Sequence, residues 1–176
     1  MNFYKLSIDA TRKNDIICYY KNDLGIHQYK LNAGKSFNRW DERFIFQYDH
    51  HEGEVPTDYL DNDMGWFVVS SRLKTIMETL HTKIEYFPVD VVEIQSGERV
   101  EGYYIANILK VVHALCLEES DYHEMQTKSA GTIYNVRKYA IYESKVENSD
   151  IFKLGDRQEI PIFVSERFKT VIEKMN

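Results

Sequence analysis

Apolar and polar positions change period several times along the chain, and each change marks an element. Residues 3–9 alternate, with Tyr4, Leu6 and Ile8 on one side and Phe3, Lys5, Ser7 and Asp9 on the other. That period of two predicts a half-buried strand. The β-branched and aromatic runs at 16–20 and 44–48 read as further strands. Polar Asn22-Asp23-Leu24-Gly25 and Asn32-Ala33-Gly34-Lys35 read as turns between them. Two stretches, 84–94 and 102–109, flank the polar, Gly-containing Gln95-Ser96-Gly97-Glu98, which predicts a β-hairpin. Residues 111–117 fit either a buried strand or a helix, because a short apolar run carries no distinguishing period. Strands are also expected at 139–144, 151–154 and 160–164.

Two segments carry the helical period. Leu73, Ile76, Met77 and Leu80 form an i, i+3, i+4, i+7 stripe, and Phe168, Val171, Ile172 and Met175 form a second. Ser70 and Ser165 stand where an N-cap belongs. The segments also match each other without gaps. Residues 69–78 and 164–173 share Val, Ser, Arg, Lys, Thr and Glu at equivalent positions, and the other apolar positions stay apolar. Each helix follows a short apolar strand, 66–69 or 162–164. Two copies are too few for a solenoid, so both strand-Ser-helix units are expected to pack on one mixed sheet. The first copy runs on into a strand at 84–94, whereas the second ends the chain, which suggests that a terminal strand is lacking.

Three prolines and eight glycines in 176 residues leave no low-complexity linker, so a single domain, 1–176, is expected. With 43% hydrophobic residues the chain can bury a core. No apolar run approaches the ~20 residues of a membrane span, and the start lacks the regions of a signal peptide. Cys18 and Cys116 fit buried thiols in a reducing cytoplasm better than a disulfide framework. A net charge of −6 argues against general nucleic-acid binding, which relies on basic surface.

Motifs for chemistry fall short one by one. Gly34-Lys35-Ser36 lacks the first P-loop glycine, since position 29 is Tyr. Asp61-Asn62-Asp63-Met64-Gly65 places its glycine one position early for a calcium loop and has Arg72 where the bidentate Glu belongs. His113 and Cys116 could meet on a helix as base and nucleophile, yet their apolar neighbours favour core packing. Asp49-His50-His51-Glu52 carries the ligand types of a divalent-cation site, with His50, His51 and Glu52 those of a small metal-dependent hydrolase. Neighbouring side chains on one strand point to opposite faces, however, which argues against their convergence. No catalytic residue, metal or cofactor is therefore expected. The charge is more informative. Residues 49–63 hold six carboxylates (Asp49, Glu52, Glu54, Asp58, Asp61, Asp63) and no Lys or Arg, so the rest of the chain sums to zero. With Tyr59 among them, these residues form the candidate partner-binding set, suited to a basic protein surface. A second acidic run, 118–124, adds four carboxylates.

Several strings in order resemble a known family. They are Asp58-Tyr59-Leu60, Asp63-x-Gly65-Trp66-Phe67-x-Val69-Ser70, Phe87-Pro88-Val89, Gly102-Tyr103-Tyr104-Ile105-Ala106-Asn107, Asp150-Ile151-Phe152-Lys153-Leu154 and Pro161-Ile162-Phe163-Val164-Ser165-Glu166-x-Phe168-Lys169. The set is similar to immunity proteins of bacterial polymorphic-toxin systems, first described as a domain of unknown function. The similarity runs from Tyr4-Lys5-Leu6 to the final helix. It implies a cytoplasmic, non-catalytic antitoxin that binds a cognate toxin, and it brings no catalytic residues with it. Members typically continue past the last helix into a short Gly-aromatic strand, in line with the terminal strand the repeat leaves lacking. In the matching pattern Gly65 serves a turn, Trp66 and Phe67 the core, and Ser70 the helix cap. The combined expectation is an α+β domain: a mixed, largely antiparallel sheet with two similar helices, binding a toxin of basic surface such as a nuclease. A small metal-dependent hydrolase around His50, His51 and Glu52, and a scaffold or self-associating domain, are the alternatives.

Overall fold

The computed structural model describes residues 2–22, 24–37, 43–128, 131–146, 148–156 and 161–174. The fold is α+β and mostly strand, in two compact units, Ser7–Leu109 and Met1–Leu6 with Lys110–Asn176.

The unit Ser7–Leu109 is a closed six-stranded barrel. Its strands are β2 (Ile17–Tyr20), β3 (Phe44–Tyr48), β4 (Tyr59–Asn62), β5 (Val68–Ser70), β6 (Ile84–Glu93) and β7 (Arg99–Ile108), in the order β2-β3-β6-β7-β5-β4. The pairs β2–β4 and β3–β6 are parallel and the others antiparallel. Alternation sends Cys18, Phe44, Phe46, Tyr48, Leu60, Phe87, Val89, Val91, Tyr103 and Ile105 inward. Trp66 is fully buried among Tyr20, Phe44 and Phe46, and its indole N–H donates to Gln28 O at 2.9 Å. Gln28 belongs to a short helix, α1 (Gln28–Asn32), which also supplies Leu31 to the core. The expected hairpin around 95–98 is present as β6–β7.

The other unit holds a four-stranded sheet of β1 (Phe3–Lys5), β12 (Ile162–Ser165), β11 (Ile151–Leu154) and β8 (Val111–Val112), in that order. A separate hairpin, β9 (Asp121–Thr127) and β10 (Gly131–Lys138), forms a two-stranded sheet. The single mixed sheet expected for both helices is therefore corrected: α2 (Ser71–Glu78) follows a barrel strand, and α3 (Glu166–Glu173) follows a strand of the four-stranded sheet. The expected strand 3–9 shortens to β1, and 139–144 makes only the bridge Leu115–Ile141 before a 3-10 turn at Glu143–Lys145. Met175 and part of the run 160–164 lie outside the described residues.

The repeat extends well beyond the matched helices. In the barrel, β4, β5 and β7 run antiparallel with Tyr59 opposite Val69 and Val69 opposite Tyr104. In the sheet, β11, β12 and β1 do the same with Ile151 opposite Val164 and Val164 opposite Tyr4. Each central strand ends in the N-cap serine. Ser70 N–H donates to Asp58 O at 3.0 Å, and Ser165 N–H to Asp150 O at 2.9 Å. Both hydroxyls donate to the carboxylate of that Asp, at 2.5 and 2.7 Å, while accepting the N–H of Leu73 or Phe168. Arg72 pairs with Asp58, and Arg167 with Asp150 at 3.5 Å. Lys74 lies 5.3 Å from the Tyr104 ring and Lys169 4.4 Å from the Tyr4 ring, both within cation–π range. One supersecondary unit, including its polar clasp, is thus used twice.

Candidate interaction surface

The acidic stretch 49–63 begins as a turn leaving β3 and ends as strand β4. Glu52 N–H donates to Asp49 O, and His51 N–H to Asp49 Oδ1, both at 2.9 Å, so Asp49 caps the turn. Gly53 then passes so close to the chain that a Cβ there would lie 2.2 Å from Asp15 O. Only glycine permits that approach. Beyond it Glu54 N–H bonds Asn14 O at 3.0 Å, and Val55 bridges Asp15 in parallel. The acidic segment is in this way stitched along the start of β2.

The outward positions of β2 are apolar. Ile17 and Tyr19 are 37% and 44% exposed, and nearby Val55 is 38% exposed. Ile17 stands beside Asp61 in the parallel β2–β4 register. The Tyr19 hydroxyl donates to Glu52 at 2.9 Å, which raises the phenol above its ordinary range. Asp63 accepts Tyr20 N–H at 2.9 Å. Burial pushes the Cys18 thiol beneath this face up to about 12, with the charges of Asp61 and Asp63 adding to it. The outcome is a small apolar centre bordered by Glu52, Glu54, Asp61 and Asp63, with Asp49 capping the turn that enters it. Sequence reasoning located the acids but missed Ile17 and Tyr19. In the run Ile16-Ile17-Cys18-Tyr19-Tyr20 no polar residue marks which side faces out.

Asp58 and Tyr59 are placed differently. Asp58 is engaged by Arg72 and Ser70, and Tyr59 packs edge-on against Phe67 at 4.8 Å. Burial raises the Tyr59 phenol to about 12. The hydrogen bonds from Arg72, and then Ser70, hold the Asp58 carboxyl below its usual range. A depressed folded pKa means this pair stabilises above the unfolded value of about 3.9 and is lost as pH falls through the lower folded one. The Tm advantage of the wild type over Asp58→Asn is accordingly expected at neutral pH and expected to shrink below pH ~4. Thermal unfolding at several pH values checks this.

The alternative sites resolve just as locally. Asn62 is buried and spends its amide on Trp66, donating to its O at 2.8 Å and accepting its N–H at 3.0 Å. Gly65, at φ +59°, closes the same turn, so this segment is a clasp for Trp66 rather than a cation loop. Cys116 donates to Glu118, while exposed His113 lies 3.5 Å from Asp156, and no base–nucleophile pair forms. The histidines do differ from expectation. They lie in a turn, where strand alternation does not apply, and the ring centroids of His50 and His51 lie 3.9 Å apart with their planes tilted by 43°. Glu52 turns to Tyr19, and His50 Nδ1 instead meets buried Glu93 at 3.1 Å. In the second acidic run Glu118 takes the Tyr142 hydroxyl and Asp121 pairs with Arg137.

A family model for an immunity protein family, Imm11, matches residues 2–176, through both units. The chain belongs to the Imm11 immunity protein family. No curated protein matches it. For an Imm11 member, an exposed patch fit for a protein partner is the pertinent kind of site. No helix among the described residues is long and apolar enough to cross a membrane.

Proposed function

We propose that this protein is an immunity protein that binds a cognate polymorphic toxin in the cytoplasm and neutralises it by covering a basic functional surface. Residues 1–176 act together as one such domain, and the protein works as a binder rather than a catalyst. The observation that carries the reading is the outer face of β2. Exposed Ile17, Tyr19 and Val55 form an anchor of the kind protein interfaces use, bordered by Glu52, Glu54, Asp61 and Asp63. A border of like charge speeds encounter with a basic partner and rejects polyanions.

The test is binding to the toxin encoded beside this gene, followed by surface plasmon resonance. Asp61→Asn with Asp63→Asn keeps an acceptor for Tyr20 N–H and removes two charges. It is expected to lower the association rate about tenfold at low salt, an effect that salt screens out. Tyr19→Ala should act chiefly on the dissociation rate. Asp58→Asn, whose carboxylate is held by Arg72, should leave affinity unchanged. Unchanged kinetics for both the double variant and Tyr19→Ala would sink the assignment of this face.

A further inference from the structure

We propose that the turn Asp49-His50-His51 binds a borderline divalent transition-metal ion, of the zinc or cobalt kind, through two imidazole nitrogens and one carboxylate oxygen. Each residue offers one ligand atom, and the three atoms lie within 4.8 Å of one another. Ligands ~2.0–2.1 Å from a shared zinc ion stand roughly 3.3 Å apart, so a modest rotation of exposed His51 closes the set. The convergence is a product of the turn. The Glu52-to-Asp49 backbone bond folds residues 50 and 51 into its bend, and His51 N–H fixes the Asp49 carboxylate at 2.9 Å.

A second feature points the same way. Glu93 is only 4% exposed, and its carboxylate is held by Gln95 N–H, Ser96 N–H and the Ser96 hydroxyl. Its other oxygen meets His50 Nδ1 at 3.1 Å. An anchored carboxylate on one imidazole nitrogen orients the ring and leaves the opposite nitrogen, Nε2, bare for a metal. Two imidazoles and one carboxylate suit zinc, cobalt or nickel, whereas calcium and magnesium take all-oxygen sets. Three protein ligands leave at least one coordination position for water or for a side chain of a bound protein. The site does not depend on the toxin reading, since it is defined by the metal alone.

The experiment is titration of the tag-free full chain with ZnCl2 by calorimetry, and with CoCl2 by visible absorption. One zinc per chain and cobalt d–d bands are expected. His51→Ala and His50→Ala should each weaken binding at least tenfold and abolish the bands. Asp49→Asn keeps an acceptor for His51 N–H while removing the charge, and it should weaken binding too. His123→Ala, on exposed β9, should leave binding unchanged. Because His51 is exposed, its variant should retain the wild-type circular dichroism. Wild-type binding no tighter than that of His51→Ala, or an equal loss in His123→Ala, would overturn the site.

Discussion

Replacing Trp66 by Ala is expected to cost the barrel unit about 3–5 kcal/mol, the range for truncating a large buried aromatic. The ring is fully buried, and three aromatic neighbours, Tyr20, Phe44 and Phe46, sit 5.1, 5.2 and 6.1 Å from it. Its removal leaves a void between rigid strands that close on themselves and cannot collapse freely. It also strands Gln28 O, the acceptor of the indole N–H. Trp66→Phe separates the two effects: it keeps most of the apolar volume but loses that hydrogen bond, for an expected loss of about 1–3 kcal/mol. Urea unfolding followed by circular dichroism checks both. A loss below about 1 kcal/mol for Trp66→Ala would contradict the account of the barrel core. Because the fold has two compact units, barrel loss is best read from hydrogen exchange on β3 and β6 amides as well as from the bulk transition.

What the sequence revealed follows from how local each feature is. The helices at Ser71–Glu78 and Glu166–Glu173 were readable with their caps because a 3.6-residue period and a serine are local signals. The strand at Phe44–Tyr48 and the 95–98 hairpin were readable for the same reason. Which strands pair was not. Parallel pairing of β3 with β6, and of β2 with β4, closes the barrel through contacts distant in sequence, and no local pattern encodes closure. The β9–β10 hairpin was missed because β9 is exposed nearly throughout and carries no alternation of polar and apolar residues. The surface was half legible. Composition located the acids of 49–63, but only the fold separates Asp58, locked by Arg72, from Asp61 beside Ile17. Likewise Asp150 stood in the sequence only as part of a family string. Its role as counterpart of Asp58 needed the register of two separate sheets.

That counterpart leads to the second large effect. Asp150→Ala is expected to destabilise the protein by about 1–3 kcal/mol, the cost of leaving a buried hydrogen-bonding group without its partner, and by more than Asp58→Ala. Both aspartates accept a serine hydroxyl and face an arginine, and the Arg72 contact to Asp58 is the closer of the two, so a larger loss at Asp150 would have to come from burial. Asp150 is 5% exposed and Ser165 1%, whereas the Asp58 side chain is 32% exposed. Removing Asp150 leaves the buried Ser165 hydroxyl without its acceptor and Arg167 without its carboxylate partner at 3.5 Å. Around Asp58, water can reach the groups left behind, and a solvent-screened pair is worth ~1 kcal/mol or less. The backbone bond from Ser165 N–H to Asp150 O survives either substitution, so the loss reports the side chain alone. Ser165→Ala supplies the control. It removes the donor to Asp150 and the cap on Phe168 N–H together, and a helix-cap loss of this kind costs about 1 kcal/mol. In a double-mutant cycle Asp150→Ala and Ser165→Ala should couple, because both act on one clasp, while Asp150→Ala and Asp58→Ala should add. Urea denaturation of the three single and two double variants decides it. Equal losses for the two aspartates would show that burial does not set the strength of the repeated clasp.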